Sequence, residues 1–229
     1  MKKALMTLAL AAAFVPTGSA ATLCSSLIGS DITTISACTA GFVTFSDFDV
    51  DFGIFDQPPA SSVSLTGVTV DNGGADVYLK FQISHSPSPA TTAGDILITY
   101  TAVSGGAFRG FDVGLGTTVP PVTITENICT PGVNPLLNPC GSIIGELQVY
   151  NNPGSNDKLT DQTFLTPGGN SIAGLGLHEV FLQKDIQIGQ NASISEFTNS
   201  HHVVPEPGTV LLMGSALIGL AALRRRKQQ

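Results

Sequence analysis

The chain has 229 residues, 42% of them apolar, which is enough for one sizeable hydrophobic core. Its net charge of −7 is unevenly distributed, because six of the ten basic residues lie at the two ends of the chain. The segment from Ala21 to Val204 has sixteen carboxylates against four basic side chains, a net charge of −12. This excludes a body that binds nucleic acid or carries a polybasic membrane patch, since both need clustered Lys and Arg.

Residues 1–21 predict a secretory signal peptide. Lys2 and Lys3 precede an apolar run, and small residues follow it, so that cleavage after Ala20 or Ala21 fits. The apolar run, about a dozen residues long, is too short to span a bilayer. We therefore expect the protein to be exported.

Four cysteines form two local pairs in the sequence. In an exported protein an even number of cysteines indicates disulfides, and the spacing favours Cys24–Cys38 and Cys129–Cys140 among the three pairings that four cysteines allow. The second bridge would brace the segment 130–139, which is too proline-rich to hold itself in place. Metal binding is the alternative, but neither pair has the C-x-x-C spacing of zinc sites.

The segment Asp47-Phe48-Asp49-Val50-Asp51 is the candidate metal site. On a strand its three carboxylates share one face, and three like charges repel one another unless they are solvated or bridged by a cation. Calcium suits oxygen ligands, although the chain lacks the glycine and glutamate of an EF-hand loop at the required positions. The alternative is a solvated outer face above a core rich in phenylalanine.

Residues 22–200 are expected to form one domain built of strands. Asp76–Ser84 alternates, with Val77, Leu79 and Phe81 on the buried face, and Gly94–Val103 is apolar on both faces, as in a central strand. Further strands are expected at Ser61–Val70, Ala107–Leu115, Val122–Ile128, Ile143–Tyr150, Val180–Ile188 and Ala192–Phe197. The sequence therefore predicts an all-β fold, a single antiparallel β-sandwich of jelly-roll or immunoglobulin-like type, flanked by a signal helix and a C-terminal transmembrane helix.

No catalytic motif is complete. His178 and Glu179 begin an H-E-x-x-H pattern, but Leu182 stands where the second histidine belongs, and the segment has the alternation of a strand. His201 and His202 are expected in an exposed, solvated stalk after the domain. We expect the chain not to be an enzyme.

Residues 201–229 form a distinct C-terminal region. Pro205 and Pro207 precede an apolar stretch at 209–223, whose fifteen residues would reach about 23 Å as a helix, a marginal span for a hydrocarbon core of about 30 Å. The basic residues that follow this stretch, in the tail 224–229, are Arg224, Arg225, Arg226 and Lys227. They predict a cytoplasmic C-terminus and a body on the far side of the inner membrane.

The order of Val204-Pro205-Glu206-Pro207, a short apolar stretch and a terminal basic cluster resembles the PEP-CTERM sorting signal of certain Gram-negative bacteria. The resemblance implies that an exosortase, a membrane-embedded cysteine transpeptidase-like enzyme, cuts near the motif and sends the body to the cell surface or the extracellular matrix. The alternative is a tail anchor that is never processed, in which the Pro-Glu-Pro segment is a rigid spacer.

These patterns favour a non-enzymatic surface or matrix protein, held transiently in the inner membrane and processed by an exosortase-like enzyme. The family implies an exopolysaccharide or biofilm context, with exopolysaccharide as a candidate partner. A carbohydrate- or ice-binding module is the alternative, although the chain has no Trp for sugar stacking. A secreted hydrolase with an unrecognised site is a third hypothesis.

Overall fold

Strands dominate the computed structural model, which describes residues 22–53, 62–84, 93–134, 138–154 and 157–204. The strands are β1 (Ala37–Ala40), β2 (Val43–Asp51), β3 (Ser62–Asp71), β4 (Asp76–Ser84), β5 (Gly94–Ser104), β6 (Ala107–Leu115), β7 (Thr118–Val119), β8 (Val122–Asn134), β9 (Asn138–Asn151), β10 (Thr160–Thr163), β11 (Glu179–Ile188), β12 (Ser193–Ile194) and β13 (Glu196–Val204). Short 3-10 helices cover Cys24–Leu27, Ile32–Thr34, Asn72–Gly74 and Ala173–Leu175.

The strands form two large antiparallel sheets. The first sheet has the order β1-β2-β5-β11-β8-β9, the second has the order β10-β6-β13-β4-β3, and β7 pairs with β12 in a small separate ladder. Apolar side chains from both sheets share one buried core. The prediction of an antiparallel β-sandwich body is therefore confirmed.

The core follows the alternation of the sequence. In β4, Val77, Leu79, Phe81 and Ile83 are buried as predicted. Strand β5 is central, also as predicted, but it buries only every second residue, so the expectation that it is buried on both faces is wrong. The reason is that no helix or third layer covers the outer face of the first sheet in the described part of the chain.

Two segments differ from their predicted bounds. The proline-rich segment, expected to depend on the second disulfide to hold it in place, partly continues the β8–β9 hairpin, where Pro131 lies opposite Cys140. The strand expected at Ala192–Phe197 is divided, since β12 ends at Ile194 and β13 begins at Glu196 and runs on to Val204.

Several predicted features lie outside the described residues. These are the signal peptide at 1–21, the apolar stretch at 209–223, the motif residues Pro205, Glu206 and Pro207, and the basic residues Arg224, Arg225, Arg226 and Lys227. Within the described ranges, the structure contains no helix with the length and apolar character needed to cross a bilayer.

Candidate functional site

Strand β13 connects the sandwich to the C-terminal region and lies in the middle of the second sheet, between β6 and β4. Its last residue, Val204, still lies opposite Ala107 of β6. His201 and His202 are only 0% and 7% exposed. The expectation of an exposed stalk at these histidines is therefore wrong, and the folded body extends to Val204 rather than ending at residue 200.

An ion pair is buried between the two sheets. Lys184 of β11 lies directly opposite Glu126 of β8, and its Nζ is 2.7 Å from Glu126 Oε1, with both side chains 0% exposed. The contact is an ion pair rather than a well-directed hydrogen bond. Burial lowers the pKa of Lys184 and raises the pKa of Glu126, and the attraction between the two charges opposes both shifts.

Three polar side chains extend this pair into an interior cluster of Lys184, Glu126, Tyr100, Asn199 and His201. The Asn199 amide donates to the two Glu126 carboxylate oxygens at 3.2 and 3.1 Å, and the Tyr100 hydroxyl donates to the Asn199 side-chain oxygen. The Tyr100 hydroxyl also lies 3.2 Å from His201 Nε2. Burial, together with the charge of Lys184, lowers the pKa of His201 well below its usual value, so its imidazole is neutral at pH 7.

His202 points to the opposite, outer face of the sheet and contacts two carboxylates. Its Nδ1 lies 2.8 Å from Asp76 Oδ1 and its Nε2 lies 2.8 Å from Asp112 Oδ2. The hydrogen bond with Asp112 raises the pKa of His202, burial opposes the shift, and the hydrogen bond with Asp76 adds to it. The arrangement therefore favours an imidazolium that donates from both nitrogens.

Asp76 is the most connected carboxylate of the outer face. Arg109 Nη2 donates to its Oδ1 at 3.0 Å, and the Asn72 amide donates to its other oxygen. Burial by itself would raise the pKa of Asp76, but the hydrogen bonds from His202, Arg109 and Asn72 outweigh burial and lower it. We refer to Asp76, Arg109, Asp112, Ser200 and His202 as the outer cluster.

The outer cluster does not have the geometry of a nucleophilic triad. The Ser200 hydroxyl donates to Asp112 Oδ2 at 2.9 Å, so its proton goes to a carboxylate rather than to the histidine. Both nitrogens of His202 face carboxylates, which leaves no lone pair to act as a general base. The cluster instead links β13 to both of its neighbours, β4 and β6.

The three calcium candidates do not converge. Asp47, Asp49 and Asp51 are exposed on β2, and the pairing of β2 is interrupted near Asp47, which has a φ of 56°. Asp51 lines a depression with Asp95 and Asp185, where the hydrogen bond with Asp185 raises the pKa of Asp95 to about 6. Among the described residues, no group of three or more His, Cys, Asp or Glu side chains is placed to hold one metal ion.

The cysteines pair as predicted. Cys24 is bonded to Cys38, 14 residues away, and Cys129 to Cys140, 11 residues away. The first bridge attaches the N-terminal 3-10 turn to β1, and the second closes the β8–β9 hairpin. Both bridges have a structural role.

Sequence reasoning missed the interior cluster, although the signal was present. Lys184 continues the apolar alternation of Leu182 and Ile186, and Glu126 continues that of Ile124 and Ile128. His201 and Asn199 likewise continue the buried face that begins at Phe197. A charged residue in phase with an apolar stripe indicates a buried, paired charge.

Similar solved structures are distant. One is the structure of TmCBM61 in complex with β-1,4-galactotriose, at 9% identity and a TM-score of 0.31 over 70% of this chain and 90% of that one. Another is the enzymatically active domain of tailspike protein 4 from Bacteriophage CBA120, at 10% identity and a TM-score of 0.32 over 69% of this chain and 20% of that one. Likenesses this weak give no basis for inferring a ligand or an activity. Curated protein sequences give no significant match.

The C-terminal region matches a family model described as the PEP-CTERM protein-sorting motif, over residues 203–227. The match begins at Val203, inside β13, and covers the Pro-Glu-Pro segment, the apolar stretch and the basic cluster. A motif of this kind implies export, sorting at the membrane and processing by an exosortase-like enzyme. The chain therefore carries a PEP-CTERM protein-sorting motif, and that motif begins inside the last strand of its β-sandwich.

Proposed function

We propose that this protein is a non-enzymatic component of the cell surface or extracellular matrix, in an exopolysaccharide or biofilm context. In this proposal the signal peptide directs export, the apolar stretch holds the chain in the inner membrane with its C-terminus in the cytoplasm, and an exosortase-like enzyme processes it near Pro205-Glu206-Pro207. The observation that carries the proposal is the sorting motif at residues 203–227, joined directly to the last strand of the β-sandwich.

The junction is suited to processing. Strand β13 ends at Val204, and Pro205 follows at once, so a cut after this point removes no strand from the body. Only residues 205–208 separate Val204 from the apolar stretch, and four extended residues reach about 14 Å. While the tail is attached, the body therefore lies against the membrane surface, within reach of an enzyme embedded there.

Mass spectrometry of the full-length chain, expressed with and without the processing enzyme, tests this proposal. We expect the mature protein to lose the residues beyond the Pro-Glu-Pro segment only when the enzyme is present, and we expect Glu206→Gln to slow that loss. Glu179→Gln, which changes an exposed carboxylate of the body, is the matched control and should be processed normally. A chain that still ends at Gln229 in both strains would refute the proposal.

We also infer that the sandwich is a jelly roll rather than an immunoglobulin-like fold. The support is the strand order, because β4, β13, β6 and β10 are neighbours in one sheet and β5, β11, β8 and β9 in the other. Consecutive strands from β4 to β8 therefore alternate between the sheets, as in a double Greek key, apart from the two-residue β7 in its separate ladder. Cross-strand nuclear Overhauser contacts from β13 to both β4 and β6 are the test.

Binding of carbohydrate or ice is the second candidate function, and the outer face of the second sheet favours it. With no Trp in the chain, Tyr78, Tyr100 and Tyr150 are the largest aromatic side chains available. Tyr100 is buried in the core, whereas Tyr78 is half-buried on the outer face beside several hydroxyl groups. With this second function the surface protein would also bind a ligand, and its sorting would be the same.

A further inference from the structure

A groove of about 610 Å³ crosses the outer face of the second sheet, over strands β10, β6, β13 and β4. This volume lies within the range of small-ligand sites, about 300–1,000 Å³. The strand registers define two rows of side chains along the groove. The first row is Thr160, Gly114, Thr198 and Lys80, and the second is Gln162, Asp112, Ser200 and Tyr78.

Gly114 forms the floor of the groove. A Cβ atom placed there would be 3.9 Å from Thr160 and 4.0 Å from Thr198, so the space above this glycine is open and bordered by two threonines. Beside Thr198 in the first row, Lys80 pairs with Glu196 at 2.7 Å. The floor therefore exposes flat backbone to a ligand, with side chains standing on both sides of it.

The polar groups along the groove are available for a ligand. Within the described part of the chain, no hydrogen bond engages the hydroxyls of Thr160 and Thr198 or the side-chain amide of Gln162. Each hydroxyl can both donate and accept, and the amide can do the same with separate atoms. The half-buried ring of Tyr78 lies at the end of the second row and offers an apolar surface.

The charges around the groove select against anions. Asp112 belongs to the outer cluster, and Asp161 on the far wall pairs with Lys158 at 2.7 Å. Lys80 is paired with Glu196, so no unpaired cation stands among the described residues along the groove to balance an anionic ligand. Hydroxyl-rich walls without a free cation favour a neutral ligand that carries many hydroxyl groups.

We propose that this groove binds a neutral oligosaccharide segment, such as a stretch of an uncharged polysaccharide. Sugar hydroxyls exchange hydrogen bonds with Thr160, Gln162 and Thr198, and one sugar ring packs on Tyr78. The open space over Gly114 receives the body of the sugar chain. The proposal concerns the sandwich alone, so it holds or fails independently of how the C-terminal motif is processed.

Affinity electrophoresis of the full-length chain through gels that contain dextran, laminarin or mannan, with alginate as the anionic comparison, tests the proposal. We expect retardation by at least one neutral polymer and none by alginate. Gly114→Leu fills the groove without a steric clash in the strand and should weaken binding by roughly tenfold or more, since the leucine side chain keeps the ligand from the hydrogen-bonding groups of Thr160 and Thr198.

Gly105→Leu is the matched control. Gly105 lies in the β5–β6 turn, a Cβ there meets nothing within 4 Å, and the turn is seven or more residues from Gly114 along β6. Its variant should bind like the wild type, and circular dichroism should show that both variants are folded. The proposal is wrong if no neutral polymer retards the chain, if alginate retards it more strongly, or if folded Gly114→Leu binds as well as the Gly105→Leu control.

Discussion

The Nε2 atom of His202 lies 2.8 Å from Oδ2 of Asp112, two residues before the last strand of the sandwich ends. On its other side the same ring contacts Asp76 at 2.8 Å, so one side chain links β13 to β6 and to β4. The sorting motif begins at the next residue, Val203, so this histidine is the last described side chain that ties the body by hydrogen bonds to the start of that motif.

His202→Gln should destabilise the body by about 2–3 kcal/mol, because the charge is lost and two partly buried carboxylates lose their common partner. Urea unfolding followed by circular dichroism measures the change. His178→Gln is the control, since that ring is exposed and makes only a 3.3 Å contact with the Ser104 carbonyl, and it should cost less than about 1 kcal/mol. Equal effects from both variants would contradict the role assigned to His202.

The stability that His202 supplies should depend on pH in a defined direction. Its pKa is raised on folding from 6.5, so its contribution is complete below about pH 6.5 and is lost as the pH rises through the raised value. The pKa of Asp76 is lowered from 3.8, so its contribution is present above about pH 4 and is lost as the pH falls further. The stability difference between wild type and His202→Gln should therefore be widest between about pH 4 and 6.5 and narrower at about pH 9.

That comparison cancels the effects of the two other shifted carboxyls, Asp95 and Glu126. Asp95, whose pKa is raised to about 6, and Glu126, whose pKa is raised by burial, both lie on the first sheet and titrate alike in the two proteins. Urea midpoints measured at closely spaced pH values give the difference directly. A difference that grows steadily above pH 7 would show that His202 is not held as an imidazolium.

Removing one member of the Lys184–Glu126 pair should be more costly than removing both. Lys184→Met alone leaves a carboxylate buried at 0% exposure and should cost about 3–5 kcal/mol, whereas Lys184→Met with Glu126→Leu should recover most of that loss. Lys158→Met breaks a surface pair whose lysine is 43% exposed and should cost less than about 1 kcal/mol. A double variant less stable than the single Lys184→Met variant would show that the pair is a net stabilising contact.

The strands were predictable because a sheet that is buried on one face requires an apolar residue at every second position of the strand. Asp76–Ser84 and Ala107–Leu115 have the bounds that the alternation predicts. The interior pairing of Lys184 with Glu126 was not predictable, because these residues are 58 positions apart and meet only through the strand order of the first sheet. Local pattern determines which face a residue occupies, but the partner on that face depends on topology.

The sequence predicts that the domain ends at residue 200, whereas β13 continues to Val204, and the reason for this difference is related. The sequence predicts an exposed stalk at His201 and His202, because Pro205 and Pro207 favour an extended boundary after the domain. In the structure both faces of β13 are covered at this point, one by the core and the other by the outer cluster, so two successive histidines are buried. Alternation can place His201 on the inner face, but it cannot show that His202 is buried on the outer face, because only the fold brings Asp76 and Asp112 beside it.

Each disulfide should stabilise the body by a similar amount. The Cys24–Cys38 and Cys129–Cys140 bridges close loops of 14 and 11 residues, for which the chain-entropy model gives about 3 kcal/mol each. Replacing either pair by alanine should lower the free energy of unfolding by about this amount, and replacing both pairs by about twice as much if the sites are independent. Peptide mapping without reductant checks the pairing, and a 24–129 or 24–140 cross-link would contradict it.

Calcium should leave the melting temperature of the protein unchanged. Asp47, Asp49 and Asp51 are solvated on β2 and line two different depressions, so a cation would meet at most two of these carboxylates at once, fewer than the six to eight oxygen ligands that Ca²⁺ takes. A thermal-shift titration with CaCl₂, with MgCl₂ at equal ionic strength as the control, measures the effect. If Ca²⁺ alone raised the melting temperature, and Asp49→Asn abolished the rise, the three carboxylates would form a cation site after all, because any ligand that binds only the folded state stabilises it.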